Sequence, residues 1–371
     1  MNSKQFETAK MCLKVVTPIN IADGIVLGAK DYLYDSRRQK VYFLNLHQWH
    51  MFIYKHMLLE KYESYLANFR DKQSLLEWLR MQGYDIDDVR TVITSEAQAT
   101  VNLMDSERKK TLNDISRHIQ QPDGSLYVPG SSIKGVFRTA ILYSLLQKRQ
   151  DIKVKYWRQI QEKISSNYFK PYRDFNKLIS DLENELLHTL RLLDGNIRSN
   201  NAVCSAMRGL QVSDTYASRN MQTAILQKVD GGFDKFGKAS PKKLPIFREC
   251  MLPEAELFFD VKIEKAVMNT IGINSVDDLL KATHSFFAAV TDLLQQAFGK
   301  EYQEAFQGVA AGNMFLGGNT GFLSNTLLAM VAPDKDTAKN TIKVLLDKSF
   351  KTHKHLLRDK VIAPRTLKCT N

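Results

Sequence analysis

The sequence predicts an α+β protein built in two related halves with helical insertions, and three observations carry that prediction. Short runs of β-branched and aromatic residues bounded by turn residues gather near the start and again after Gly209. Longer stretches with apolar residues at helical spacing separate them. A glycine-rich turn followed by an apolar helix occurs twice, at 130–146 and 317–331. With 371 residues, 44% of them hydrophobic and 25% charged, the chain is too long for one small core and too apolar for disorder.

Taken in order, residues 10–18 (KMCLKVVTP) form a strand stopped by Pro18, Asp23-Gly24 marks a turn, and residues 40–46 (KVYFLNL) make a second strand. From Leu46 to about Leu79 the spacing becomes helical with no Pro or Gly, whereas residues 85–120 are polar and poorly periodic and are expected as an insertion. Leu126–Val128 reads as a short strand, Pro129-Gly130 breaks it, and Ser131 or Ser132 is expected to cap a helix. That helix buries Ile133, Val136, Phe137, Ala140, Ile141 and Leu145 on one stripe. Residues 148–193 are mostly helical, ending at Asp194-Gly195-Asn196. After Gly209 come the strands LQVSDTYA and QTAILQKV, a loop GGFDKFGKASPKK, and then PIFRECML and ELFFDVKIE, predicted as a hairpin across Pro253–Glu256. A long amphipathic helix spans 276–307, the second glycine loop opens a helical FLSNTLLAMV, and APRTLKCT ends the chain as a strand. The expected organisation is an N-terminal domain (1–147) with an insertion at about 46–120, a basic helical insertion or linker (148–205) and a C-terminal domain (206–371).

Charge narrows the partners. Lys and Arg exceed Asp and Glu by 52 − 40 = 12, so a polyanion or an acidic protein is the expected partner. Residues 148–177 carry nine basic and three acidic residues with interleaved aromatics, and residues 335–371 carry ten basic and three acidic. Phosphate contacts with stacking platforms fit the first segment, and so does a solvated helix face over core aromatics. The four cysteines are scattered without a CxxC pair, which argues against a disulfide framework or a cysteine-rich zinc site. MNSKQFETAK holds no apolar leader segment and no stretch nears ~18 apolar residues, so a cytoplasmic protein without membrane attachment is expected.

Few motifs carry chemistry. Gly130 and Gly135 have Walker A spacing, but Val136-Phe137 replace the required Lys-Ser/Thr, and the run Gly317-Gly318-Asn319-Thr320-Gly321 departs from GxGxxG. What remains is close backbone approach and helix N-terminal amides beside Lys134 and Arg138, a combination suited to phosphate; tight turns and packing explain the same glycines, and both readings stay open. The loop from Gly231 to Lys243 sets Phe233 and Phe236 among Lys235, Lys238, Lys242 and Lys243, and is expected to make contacts. His47, His50 and His56 lie near Trp49 as partly buried structural groups. No metal site, cofactor or catalytic motif is expected.

The stretch VPGSSIKGVFRTAIL (Val128–Leu142) resembles the glycine-rich signature of the RAMP superfamily, the ferredoxin-like RNA-binding proteins of CRISPR–Cas systems. LKVVTPINIADG, KDYLYDSRRQKVYFLN, FLGGNTGFLSNT and PRTLK are similar, in that order, to the crRNA-capping subunits of type III-A (Csm) effector complexes, and with Val128–Leu142 they cover about a sixth of the chain. The resemblance implies two ferredoxin-like (RRM-type) RAMP domains with helical insertions. It implies a non-catalytic subunit that caps the backbone filament, binds the 3′ portion of crRNA and serves crRNA maturation and antiviral defence. Its partners would be crRNA, the backbone RAMP subunit, the small helical subunit, and host nucleases that trim the crRNA. By carry-over, Ser131, Ser132, Lys134, Gly135 and Arg138 would hold phosphates, with Gly317, Gly318, Asn319, Thr320 and Gly321 as a second contact. Phe233 and Lys235 join them from the residue reading. The rival activity is a metal-independent crRNA-processing endoribonuclease of the same superfamily.

Overall fold

The computed structural model describes residues 5–68, 73–100, 112, 114–166, 168–191, 200–217, 221–234, 236–318, 320–321, 323 and 327–349, and the backbone of 356–357, 360–361 and 367–370. Fourteen strands and eleven α-helices follow one another among these residues. The first part holds β1 (Phe6–Lys14), β2 (Ala22–Leu27), β3 (Tyr32–Asp35), β4 (Lys40–Leu44), α1 (Leu46–Lys55), α2 (Leu59–Ala67), α3 (Leu75–Met81), β5 (Ile93–Thr100) and β6 (Ile115–His118). Next come α4 (Gly130–Lys148), α5 (Gln150–Ser165), α6 (Pro171–Leu187), β7 (Leu210–Val212), β8 (Tyr216–Ala217), β9 (Thr223–Gly231), β10 (Lys242–Met251) and β11 (Glu256–Glu264). The last part holds α7 (Lys265–Met268), α8 (Val276–Phe298), α9 (Gln303–Val309), α10 (Leu328–Val331), α11 (Lys335–Ser349), β12 (Leu356–Leu357), β13 (Lys360–Val361) and β14 (Leu367–Thr370).

Two sheets organise the chain. The first runs β1-β11-β7, with β8 also on β11, all antiparallel, and β1 pairs β11 along its whole length from Phe6↔Glu264 to Lys14↔Glu256. Alternation along β11 sends Leu257, Phe259, Val261 and Ile263 into the core, where α4 and α8 cover them. Ile133, Phe137, Ala140 and Ile141 of α4 are fully buried there, the larger ones contributing about 2 kcal/mol each. Tyr143 of α4 meets Phe286 of α8 at 5.6 Å between ring centroids. The second sheet runs β2-β6-β10-β9-β5-β4-β3 with β14 added to β9, and its β10/β6 and β5/β9 pairs are parallel. Each sheet therefore takes strands from both ends of the chain.

Several expectations change, among them the helix expected over 276–307, which is two, α8 and α9. PIFRECML and ELFFDVKIE do not form a hairpin: β10 pairs with β9 and β6, β11 with β1, and the chain crosses between sheets at Leu252–Ala255, where Glu254 has φ +68°. Residues 85–120 are not merely an insertion, because they supply β5 and β6; the inward residues of β5 are Ala97 and Ala99, too small to register as a hydrophobic stripe. Leu126 makes only an isolated bridge to Gln120 rather than a strand. Of the expected helix FLSNTLLAMV the described residues include the four-residue α10, while residues 322 and 324–326 lie outside them.

The helical segment 46–81 folds as three helices around Trp49, which is fully buried against Tyr62 and Trp78 at 5.9 and 6.5 Å. Ser74 and Glu77 form a reciprocal capping box on α3. In α5 and α6, Tyr156 and Phe175 belong to the core, so the structural reading accounts for these two aromatics of the basic segment. His47 and His50 are exposed rather than partly buried, while His56 Nδ1 lies 2.9 Å from the Tyr84 hydroxyl.

Candidate nucleic-acid interface

The first glycine loop is built by packing. Val128 N–H donates to Thr215 Oγ1 at 2.7 Å, Thr215 N–H donates back to Val128 O at 3.0 Å, and Gly130 N–H donates to Asp214 Oδ1 at 2.7 Å. A side chain at Gly130 has no room: its Cβ would lie 2.4 Å from Val212 O and 2.5 Å from Ser213 O. The helix cap is therefore Pro129 with a carboxylate supplied from across the fold, a favourable charge at a helix N-terminus. Ser131 and Ser132, expected as caps, lie inside the first turn instead.

Past that turn the helix presents a different surface. Ser131, Lys134, Gly135 and Arg138 follow i, i+3, i+4, i+7 spacing and share one face of α4. Lys134 is half-buried, desolvation pulls its ammonium pKa down, and it makes no ion pair among the described residues. A Cβ at Gly135 would meet nothing within 4 Å, so the helix backbone is open there. Arg138 is exposed and only loosely paired, 3.9 Å from Glu183 Oε2.

The second glycine loop sits on a polar network. Gly317 has φ +88°, a conformation glycine tolerates, and a Cβ there would lie 2.5 Å from Asn20 O. Gly318 N–H donates to Asn20 O at 2.7 Å, and a Cβ at Gly318 would lie 2.3 Å from Arg248 Nη1. Arg248 Nη1 donates to Asn20 Oδ1 at 3.2 Å, and Asn20 Nδ2 donates to Glu249 O at 2.8 Å. Thr320 Oγ1 donates to Gly317 O at 3.4 Å; Asn319 lies outside the described residues.

One buried histidine joins the two loops. His118 Nδ1 accepts from Ile21 N–H at 2.9 Å and its Nε2 donates to Tyr127 O at 3.1 Å, which fixes the neutral tautomer. Burial drives its pKa down to about 4. Asn20-Ile21 thus carries Gly318 on one side and, through His118, the lead-in to the first loop on the other. Beside it Glu249, whose pKa burial raises against the pull of Arg117, accepts from Arg117 Nε at 3.3 Å and from His118 N–H at 3.2 Å.

The loop from Gly231 to Lys243 is the tip of the β9–β10 hairpin, shaped by Asp234 Oδ1 accepting from Phe236 N–H and Lys238 N–H. Phe233 is not a free ring. It stacks on Phe298 at 5.5 Å and meets Tyr302 edge-on at 6.0 Å, clamping the hairpin to α8 and the residues after it. Phe236, 60% exposed, is the aromatic that the tip presents, and Lys235 lies outside the described residues.

Sequence reasoning missed His118, Asn20 and Arg248, and the hydrogen bond by which Asp214 holds the Gly130 amide. Arg248-Glu249 left one signal, two adjacent charges inside the otherwise apolar run PIFRECML. Among the described residues no group of three or more His, Cys, Asp or Glu is placed to hold a metal, and no helix is long and apolar enough to cross a membrane.

An α+β fold carrying glycine loops beside uncompensated cations defines a class, and the family comparison agrees: the RAMP superfamily model matches residues 12–321, so the chain belongs to the RAMP superfamily. Its relatives include Csm5 of Mycobacterium tuberculosis, 28% identical over 99% of this chain and 93% of that protein, and Csm5 of Enterococcus italicus, 23% identical over 91% and 85%. The fold is shared with one chain of a Csm–crRNA–target RNA ternary complex from a type III-A CRISPR–Cas system (18% identity, TM-score 0.66, 98% of this chain and 97% of that one). It is shared also with T. onnurineus Csm5 (17% identity, TM-score 0.56, 91% and 94%).

Proposed function

We propose that this protein is a non-catalytic RNA-binding subunit of a type III-A CRISPR (Csm) effector complex. In this reading it caps the backbone filament, holds the 3′ portion of crRNA and serves crRNA maturation. Membership of the superfamily and the Csm5 relatives support it. The observation that carries the binding mode is Lys134: a half-buried cation without a carboxylate partner, one residue from open helix backbone at Gly135. Desolvating a charge without a counter-ion is costly, and an arriving phosphate offsets that cost. Ser131 and Arg138 extend the same stripe, and the second glycine loop adds a contact beyond it. The partners are crRNA, the backbone RAMP subunit and the small helical subunit, with host nucleases trimming the crRNA.

One ferredoxin-like unit of this reading is the first sheet. Its strand order β1-β11-β7, with α4 between β1 and β7 and α8 after β11, follows the first, third and second strands of a βαββα plan. Non-catalytic action fits His118, whose two ring nitrogens are both engaged in the fold.

The test is the salt dependence of single-stranded RNA binding by the purified full chain. The Lys134→Ala/Arg138→Ala double variant should bind more weakly, and the slope of log affinity against log salt should fall by about 1.4, two contacts at ~0.7 each. An unchanged slope would remove these residues from the interface.

A further inference from the structure

The polar network under the second glycine loop contains a cation whose placement the fold itself does not explain. Arg248 leaves β10 beneath Gly318 and makes one side-chain hydrogen bond, from Nη1 to Asn20 Oδ1. Its Nε is buried and finds no acceptor, and no carboxylate pairs with it among the described residues. The neighbouring carboxylate is already committed: Glu249 Oε2 takes Arg117 and the His118 amide, and Thr223 faces Oε1. Arg117 has both an ion pair and the face of Phe43, 4.2 Å from its centroid, so the two arginines of this region are treated oppositely.

Position and loop composition fit together. Asn20 is 2% exposed and held by the Glu249 carbonyl, so it fixes Arg248 at one corner. Gly318 has no Cβ, and a Cβ would overlap Nη1, so the loop backbone lies directly on the guanidinium. A planar fork with spare Nη donors, partly buried beside glycine backbone, matches a tetrahedral oxyanion that takes two of the Nη N–H groups.

We propose that Arg248 is a phosphate-binding side chain of the second glycine loop, holding one backbone phosphodiester of single-stranded RNA, and that Gly318 is glycine so that the guanidinium can lie under the loop. The proposal rests on the RNA-binding reading above and adds to it a residue from a strand far from either loop in sequence.

The experiment measures binding of the full chain to a labelled single-stranded RNA across a salt series, for wild type, Arg248→Gln, Arg248→Lys and Gly318→Ala. Arg248→Gln should lose about tenfold in affinity, with the salt slope lower by ~0.7. Arg248→Lys should keep the slope but not the full affinity, because an ammonium cannot make the bidentate contact. Gly318→Ala should weaken binding with every charge retained. An RNA with neutral methylphosphonate linkages should bind wild type and Arg248→Lys equally, which keeps the test decisive even if Arg248→Gln folds poorly. Wild-type protein that binds no RNA would overturn the functional reading and this inference together. Wild-type binding with Arg248→Lys and Gly318→Ala both unaltered would overturn this inference alone.

Discussion

The two glycine loops share a weak likeness in sequence and are built for different ends. In the first, Gly130 is pressed against the Val212 and Ser213 carbonyls and its amide is taken by Asp214; its open surface begins one turn later, at Lys134 and Gly135. In the second, Gly317 and Gly321 take left-handed backbone conformations, and Gly318 lies on an arginine without a carboxylate partner. Glycine lets two backbones touch in both loops, at Gly130 and at Gly317, and in the second loop Gly318 also lets the backbone touch a cation. A motif match alone does not separate these cases; the neighbouring strand does.

The sharpest way to break the comparison is Gly130→Ala. Backbone atoms cannot yield as a flexible side chain does, so the loss of stability should reach about 3 kcal/mol, measured by chemical unfolding; a loss below about 1 kcal/mol would show that the first loop has room for a side chain.

His118, which ties the loops together, should set an acid limb of stability of similar size. Its folded pKa of about 4 lies below the unfolded value of 6.5, so the unfolded chain takes up a proton first. Stability should be lost as pH falls from about 6.5 towards about 4, by up to about 3 kcal/mol. In His118→Gln, whose amide can accept from Ile21 and donate to Tyr127, that limb should shrink. Unfolding curves at pH 7 and pH 4.5 decide it, and an unchanged difference between them would contradict the assignment.

Smaller effects sharpen the contrast. Gly135→Ala meets no neighbour and removes a helix-interior glycine, so it should stabilise the chain by about 0.5–1 kcal/mol. RNA affinity should fall in the same variant, because the methyl covers the open backbone; stability and binding moving together would contradict a contact there. Asp214→Asn keeps an acceptor for the Gly130 amide but removes a negative charge from the helix N-terminus. A stability loss of about 0.5 kcal/mol is expected, with RNA binding tighter by a factor of two or so; unchanged binding would place the RNA away from the first loop.

Much of this was legible in the sequence. The α4 stripe from Ile133 to Ile141 and the strands β9, β10 and β11 announce themselves through apolar periodicity, and the last strand falls within APRTLKCT. Pairing was not legible: nothing local tells Glu256–Glu264 to pair with Phe6–Lys14 rather than with the strand just before it. β5 was hidden because alanines face its core, and Phe233 was misread because its stacking partner, Phe298, lies at the far end of a helix that sequence spacing cannot place. The cation placed by the second loop showed only as a charge inside an apolar run, since Arg248 acquires its meaning from Asn20 and Gly318, both remote in the chain.

The most direct measurement is photocrosslinking of 4-thiouridine-substituted RNA to the full chain, with the attached peptides identified by mass spectrometry. The account predicts crosslinks in the peptides holding Tyr127–Arg138 and Phe315–Gly321. Crosslinks confined to the α1–α3 helices or to the outer face of α5 and α6, with both glycine loops unmarked, would contradict it.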